Sequence, residues 1–354
     1  MQAITYQGPD TVGLEHVKDA QLPNELGAVV RVTAAGICGS DLHIYHGHGF
    51  SDDIGYPLGH EAVGEVIEIG SRVTRFAVGD RVLLAASVGC VFCAACAAGH
   101  VTACEHRRQP WKELCYGMSH RLPGSQAEFV AVPHADRNLF TVGPSVSDDA
   151  ALALTDNAPT AWYGARRAGV GPGDTVVVIG GGPVGQLAVQ SAFLQGAARV
   201  LIAEPVDHRR GEAESLGAEP IDATDPKAHI RELTSGEGAD AVIEAVGLDE
   251  TIALAISAAR RAGRVSVIGV SQNDAFPFRM QAAQTKELQF CAGLCSAQRE
   301  LPTLLALTAS GRFEPGVVVS HHLALAEGPA GYAMLAERAA GVGKIALRPD
   351  GAVA

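Results

Sequence analysis

Lysine and arginine are scarce in this 354-residue chain. There are 27 of them against 39 aspartates and glutamates, for a formal net charge of −12. No basic run relieves that imbalance, which excludes a polyanionic partner such as DNA or RNA and electrostatic docking on an anionic membrane. The chain also lacks any apolar stretch near the ~20 residues that a membrane-spanning helix needs. Its opening, Met1-Gln2-Ala3-Ile4-Thr5-Tyr6, has neither the basic nor the apolar region of a secretory signal, so a cytoplasmic protein is expected. Internal repeats and low-complexity segments are missing too. Charged residues make up 19% while hydrophobic ones reach 47%, enough to bury a sizeable core. At about 150 residues per domain, two domains are expected.

Glycine is plentiful, with 41 residues, and its placement divides the chain. Up to about residue 150 the sequence reads as short β-rich pieces punctuated by Gly and Pro, among them Ala28–Val32, Val63–Ile69 and Arg81–Leu84. Beyond that, apolar strands alternate with helical spacing. The strands are Val176–Ile179, Val200–Ala203, Ala241–Glu244 and Val265–Ile268, with shorter ones near Pro220-Ile221 and Leu288-Gln289-Phe290. Val184, Leu187, Ala188, Ser191 and Ala192 carry the helical period between the first two. Strands joined by helix-length connections mean right-handed βαβ units and a parallel sheet.

Four of the eight cysteines, Cys90, Cys93, Cys96 and Cys104, form C-x2-C-x2-C-x7-C. Where thiols stay reduced, such clustering points to a metal rather than disulfides. Four thiolates can close a tetrahedral zinc site, and an iron–sulfur cluster is the chemical competitor. Cys38 stands apart, in Gly36-Ile37-Cys38-Gly39-Ser40-Asp41-Leu42-His43, and Gly59-His60-Glu61 follows. A thiolate, an imidazole and carboxylates are the parts of a zinc site with an open position. Taken singly, a Cys or a His is more often a core residue.

The run Thr175-Val176-Val177-Val178-Ile179 leads directly into Gly180-Gly181-Gly182-Pro183-Val184-Gly185. This is G-x-G-x-x-G between a strand and a helix: Gly180 for the tight turn, Gly182 for close approach of a pyrophosphate, Gly185 for helix-on-strand packing. Pro183 suits a helix start, and the first-turn N–H groups, Val184 included, are free to meet phosphate. The next strand ends at Glu204, 19 residues past Gly185, where a carboxylate can accept hydrogen bonds from the adenosine ribose. These features predict a dinucleotide site.

Together, GICGSDLH (36–43), GHE (59–61), GDRV (79–82), the four-cysteine lobe (90–104) and VIGGGPVG (178–185) make the chain similar to the zinc-dependent medium-chain alcohol dehydrogenases. The resemblance implies an α/β protein. A GroES-like β-rich catalytic domain would span 1–156, with its structural-zinc lobe at 90–104. A Rossmann doubly wound parallel sheet would span 157–293, and a C-terminal segment, 294–354, would return to the catalytic domain.

It implies two zinc ions per chain, a structural one on Cys90, Cys93, Cys96 and Cys104 and a catalytic one on Cys38 and His60. Asp156 takes the third ligand's place, as in the branch that includes bacterial secondary-alcohol and glutathione-independent formaldehyde dehydrogenases. Glu61 would be a supporting group or an alternative ligand. Ser40 resembles the hydroxyl that accepts the alcohol proton, and His43 the outer base that passes it to solvent. Each has a plainer reading: Ser40 and Asp156 as helix caps, His43 as a solvated surface residue.

The implied reaction is hydride transfer between a small alcohol, or its aldehyde or ketone, and NAD. Glu204 favours NAD over NADP. Arg209 matches a position that touches the adenosine ribose, although Arg209 and Arg210 together could serve a phosphate. Formaldehyde dismutation with tightly held NAD, diol oxidation, a zinc-free reductase and a non-catalytic NAD-binding protein are the alternatives. Tyr45, Phe50, Trp111 and Trp162 are candidate pocket walls. The family forms dimers or tetramers by pairing Rossmann edge strands, so a homo-oligomer is expected, with Arg264–Val270 as the edge segment.

Overall fold

A computed structural model describes residues 1–49, 51–90, 92–107, 112–222, 224–273 and 275–351. Phe50 and Trp111 lie outside them. The chain divides into two compact units, Met1–Pro159 with Ser296–Ala354, and Thr160–Cys295.

The first unit is built on a seven-stranded sheet. Its order is Val319–Ala324, Lys344–Arg348, Ala28–Ile37, Ala62–Ile69, Arg81–Leu84, Leu139–Thr141, and Phe129–Val132 also pairs with Ala28–Ile37. Ala28–Ile37 is the central strand, and only Arg31 on it is exposed. Its antiparallel partner Ala62–Ile69 brings Ala35 opposite Ala62. On its other side Ile37 faces Ile345, so a strand from the far end of the sequence closes the sheet. The core gathers Ile4, Val30, Ile37, Tyr56, Leu58, Val66, Leu84, Tyr332, Ile345 and Leu347, all buried. Burial in this mainly apolar centre makes an unpartnered polar group beside it costly.

The second unit is a six-stranded, all-parallel sheet. Its order is Glu219–Pro220, Arg199–Ala203, Thr175–Ile179, Ala239–Glu244, Ala259–Val267, Gln289–Ala292. The Val176–Val178 run is fully buried, as a strand covered on both faces requires. Chain order reverses beside Thr175–Ile179, which makes the carboxyl end of that strand the crevice where such sheets bind ligands. One expectation is corrected here. Arg264–Val270 is not an edge, because Gln289–Ala292 adds outside it, pairing Arg264 with Gln289 and Val267 with Ala292. The half-exposed four-residue strand gave a weak apolar signal, and it is the edge. Among the described residues no helix is long and apolar enough to cross a membrane.

Candidate active site

The central pair of strands assembles the site. Cys38 follows directly on Ala28–Ile37, and His60 and Glu61 directly precede Ala62–Ile69. The Gly36 N–H donates to the Glu61 carbonyl at 3.1 Å, which locks the two strand ends together. Gly36 has to be glycine, since a Cβ there would collide with the Glu61 carboxylate. The third contributor is the helix Asp148–Thr155, whose last turn is tied to the sheet by the Ala86 N–H donating to Thr155 O at 3.1 Å. Asp156 is its C-terminal cap residue and stands directly before the next helix, Asn157–Arg167, and its carboxylate lies 3.7 Å from His60 Nε2 and 3.8 Å from Cys38 Sγ.

One donor atom from each of Cys38, His60, Glu61 and Asp156 lies within 4.8 Å of the others. A second group of donors, from Cys90, Cys93, Cys96 and Cys104, is equally compact. The structure therefore brings together each of the two sets singled out in the sequence.

Behind these donors stand residues that the sequence reading missed. Asp41, buried, accepts from the Cys38 N–H at 3.0 Å and from Gln126 Nε2 at 3.2 Å, while its other oxygen is 3.1 Å from His60 Nδ1. The imidazole is thereby oriented with Nε2 toward Cys38 and Asp156, as a metal-binding histidine held through its other nitrogen would be. Burial opposes a charge on His60, yet the Asp41 charge and the hydrogen bonds of Asp156 and Asp41 carry its pKa well above the ordinary value. Asn157 Nδ2 reaches Glu61 Oε1 at 3.1 Å, Asp156 Oδ2 at 3.3 Å and Cys38 Sγ at 3.7 Å.

Lys344, from the closing strand, donates to Glu61 Oε2 at 2.5 Å, and both side chains are essentially inaccessible to solvent. Burial pushes the Glu61 carboxyl up against the pull of Lys344 and His60. Burial also works against the Lys344 ammonium, but Glu61 holds its pKa above the ordinary value. Asp41 and Asn157 adjoin motif residues and could have been suspected. Lys344 carried no signal, because 283 residues separate it from Glu61.

Ser40 caps nothing with its side chain. Its hydroxyl instead lies 3.4 Å from His60 Nε2, beside the donor cluster. His43, half-buried, has its pKa held below the ordinary value by burial and by the imidazoles of His48 and His46, against the pull of Asp41. It is therefore neutral at pH 7 and able to accept a proton.

The four-cysteine lobe is preorganised for anionic sulfur. Backbone N–H groups of Phe92 and Cys93 point at Cys90 Sγ, that of Cys96 at Cys93 Sγ, and that of Cys90 at Cys104 Sγ, each at 3.4 Å. Donation from the Cys96 and Glu105 N–H groups lowers the Cys93 thiol to about 6. Cys93, Cys96 and Cys104 are buried, in a loop pinned by Arg107 to the carbonyls of Val88, Val101 and Thr102. A donor set of four sulfurs fits a closed structural metal. Elemental analysis should find about two zinc ions per chain, and Cys93→Ala should lose one of them together with soluble yield. Iron in the active protein would overturn this.

In the second unit, Gly180 adopts φ +95°, Gly182 caps the helix Pro183–Leu194, and Pro183 and Val184 form its first positions. A Cβ on Gly185 would drive into the Gly180 carbonyl. Glu204, buried at the end of Arg199–Ala203, accepts from the Gly181 N–H at 2.7 Å and the Val206 N–H at 2.8 Å, so it also braces the turn. Arg210 is engaged by Asp207 at 2.6 Å and by the Glu204 carbonyl at 3.1 Å. Arg209 keeps a buried Nε without a hydrogen-bond partner among the described residues.

Residues 24–142 match the alcohol dehydrogenase GroES-like domain, and residues 183–310 match the zinc-binding dehydrogenase domain. A Mycobacterium tuberculosis protein described as a probable zinc-binding alcohol dehydrogenase is 38% identical over 352 residues, covering 99% of this chain and 89% of its own. The chain belongs to the zinc-dependent medium-chain alcohol dehydrogenases. The alcohol dehydrogenase of Thermus sp. ATN1 superposes with a TM-score of 0.92 at 37% identity, covering 98% of this chain and 99% of its own. The glutathione-independent formaldehyde dehydrogenase of Pseudomonas aeruginosa is 34% identical over 70% of this chain and 66% of its own. As a medium-chain alcohol dehydrogenase the chain is an oxidoreductase, and its chemistry is alcohol–carbonyl interconversion with zinc and a nicotinamide dinucleotide.

Proposed function

We propose that this dehydrogenase oxidises a small alcohol, or reduces the matching aldehyde or ketone, at the cluster of Cys38, His60, Asp156 and Glu61, with NAD as the hydride carrier. The observation that supports this most is the convergence of a thiol, an imidazole and two carboxylates within 4.8 Å, beside the Ser40 hydroxyl. Cys38, His60 and Asp156 are the ligands, and zinc bound there supplies Lewis acidity that eases loss of a hydroxyl proton. Asp41 keeps the His60 ring in place. Lys344 and Asn157 hold the Glu61 carboxylate from both oxygens, so it supports the cluster and would reach a metal only by giving up one of these bonds. Ser40 takes the proton from the substrate, and His43, neutral at pH 7, relays it to solvent. Oxidation releases one hydride to NAD and one proton along this path.

Ser40→Ala should lower kcat by about 10²-fold or more with NADH binding intact, while His43→Gln costs less and is partly rescued by buffer base. Turnover near wild type in Ser40→Ala would remove that residue from the relay.

Glu204 supports NAD. Its carboxylate can bond the ribose hydroxyls, and charge-assisted bonds of this kind contribute roughly 1.5–3 kcal/mol. Toward a 2′-phosphate it is repulsive. Wild type should therefore prefer NAD by at least ~100-fold in kcat/KM, since each ~1.4 kcal/mol is tenfold. Glu204→Gly should lose efficiency with NAD and gain it with NADP. Its melting temperature should fall as well, because the Gly181 and Val206 N–H groups lose their acceptor. A wild-type preference for NADP would overturn the assignment.

The likeness to the formaldehyde dehydrogenase supports a second reading, formaldehyde as substrate with NAD retained between turnovers. Nucleotide released on denaturing the purified protein would favour it, and nucleotide-free protein that turns over only with added NAD would exclude it. The proposal includes a cytoplasmic homo-oligomer, a dimer or tetramer. The four clustered thiols, which must stay reduced to hold a metal, support a reducing compartment. The edge strand Gln289–Ala292 supports pairing between copies.

A further inference from the structure

At the end of the parallel sheet opposite the glycine turn, four cationic side chains face one cavity of about 360 Å³. Lys227 and Arg231 come from the helix Pro226–Leu233, Arg261 from the start of Ala259–Val267, and Lys286 from the end of the helix Met280–Lys286. The loop Gly236–Gly238, which precedes Ala239–Glu244, forms another wall. All these segments lead into the amino ends of strands, whereas the glycine turn sits at the carboxyl ends, so the two sites occupy opposite edges.

The charge here runs against the rest of the chain, whose net charge is −12. Four other arginines of this unit are matched by carboxylates: Arg199 with Glu219 and Arg210 with Asp207, each at 2.6 Å, Arg260 with Asp240 at 2.6 Å, and Arg264 with Asp174 at 2.7 Å. Among the described residues no carboxylate forms an ion pair with Lys227, Arg231, Arg261 or Lys286, and Glu237 on the rim is the one acidic residue lining the cavity. Lys227 and Arg231 are four apart on one helix, a like-charge spacing that costs a helix stability.

Lys286 supplies a fixed charge rather than a free donor. Its ammonium caps the helix Asp249–Ala258, donating to the carbonyls of Ile256 at 3.1 Å, Ser257 at 3.0 Å and Ala259 at 2.6 Å. Burial and the charges of Arg231, Lys227 and Arg261 pull its pKa below the ordinary value, so the four cations share one field. Lys227 and Arg231 have solvent-facing donors, and Arg261 spends one N–H on the Thr285 carbonyl at 3.3 Å. Unmatched cations around a concave surface of this volume are the chemistry of an anion site.

We infer that this cavity binds a small phosphorylated anion, held by Lys227, Arg231 and Arg261 in front of the fixed Lys286 charge and apart from the dinucleotide site. A phosphate monoester matches both the guanidinium pair and a cavity larger than phosphate alone. Affinity should be modest, with Kd on the order of 1 mM, because exposed charges are screened.

The test is calorimetric titration of the zinc-loaded, NADH-saturated enzyme at low ionic strength with inorganic phosphate and with phenyl phosphate, which has no oxidisable alcohol. Saturable binding of one phenyl phosphate per chain is expected, weakened at least tenfold in Arg231→Ala/Arg261→Ala. NADH affinity should not change and the ligand-free melting temperature should not fall, since both arginines are exposed and loss of Arg231 relieves its like-charge spacing with Lys227. Tighter binding of phenyl phosphate than of phosphate identifies the ester as the ligand class, and equal affinity overturns that part. No saturation by either probe up to about 10 mM, or an undiminished affinity in the double variant, overturns the site.

Discussion

Asp156→Ala should leave a folded protein that binds NADH and retains the four-cysteine metal, with kcat/KM reduced about a thousandfold or more. The alanine removes one of the donors gathered within 4.8 Å and leaves Cys38 and His60 to hold a cation with two strong ligands. Lewis-acid stabilisation contributes several kcal/mol to the transition state, and each ~1.4 kcal/mol is tenfold in rate. Folding should survive, because the Asp156 carboxylate is part-exposed and the helix before it is anchored through its backbone at Thr155. Steady-state rates and zinc content on one preparation check this together. Full activity with one zinc lost, or two zincs retained at wild-type affinity, would remove Asp156 from the ligand set.

Lys344→Met should be the most destabilising single substitution at the site. It leaves the Glu61 carboxylate fully buried with its counter-ion gone, and breaking a buried pair from one side costs about 3–5 kcal/mol. That is a large fraction of the ~5–15 kcal/mol that typically separates folded from unfolded. The loss should be larger after chelation than in zinc-loaded protein, since a cation held by Cys38, His60 and Asp156 partly replaces the missing ammonium. Lys344→Arg should recover part of the loss. Urea midpoints with and without chelator measure both effects. Equal midpoints for wild type and Lys344→Met in the chelated state would show that the pair contributes nothing.

The second unit was nearly all legible, because its signals are local. Buried strands such as Val176–Val178 announce themselves as unbroken apolar runs, and Gly180, with its positive φ, and Gly185, where a Cβ would meet the Gly180 carbonyl, mark a turn that needs glycine at both places. The half-exposed strand Gln289–Ala292 was read too short to be recognised as the edge. In the first unit, Cys38, His60 and the four-cysteine lobe were legible because metal chemistry restricts which side chains can serve. What escaped was what supports them. Asp41, Gln126, Asn157 and Lys344 act through contacts set by the tertiary fold, and a buried lysine has no local pattern at all. Glu204 was read for its partner outside the chain, and its bracing of Gly181 and Val206 belongs to the turn itself.

The strand carrying Lys344 also sets an order of events during synthesis. The catalytic unit is discontinuous, and Thr160–Cys295 is made between its two parts. While the ribosome translates that stretch, Glu61 has no ammonium to meet, and the central strand Ala28–Ile37 lacks its neighbour Lys344–Arg348. The parallel sheet of the second unit, complete within its own sequence, can fold in that interval, since domains fold as units during translation. The charge that supports Glu61 therefore arrives only on a strand made after the whole of the second unit.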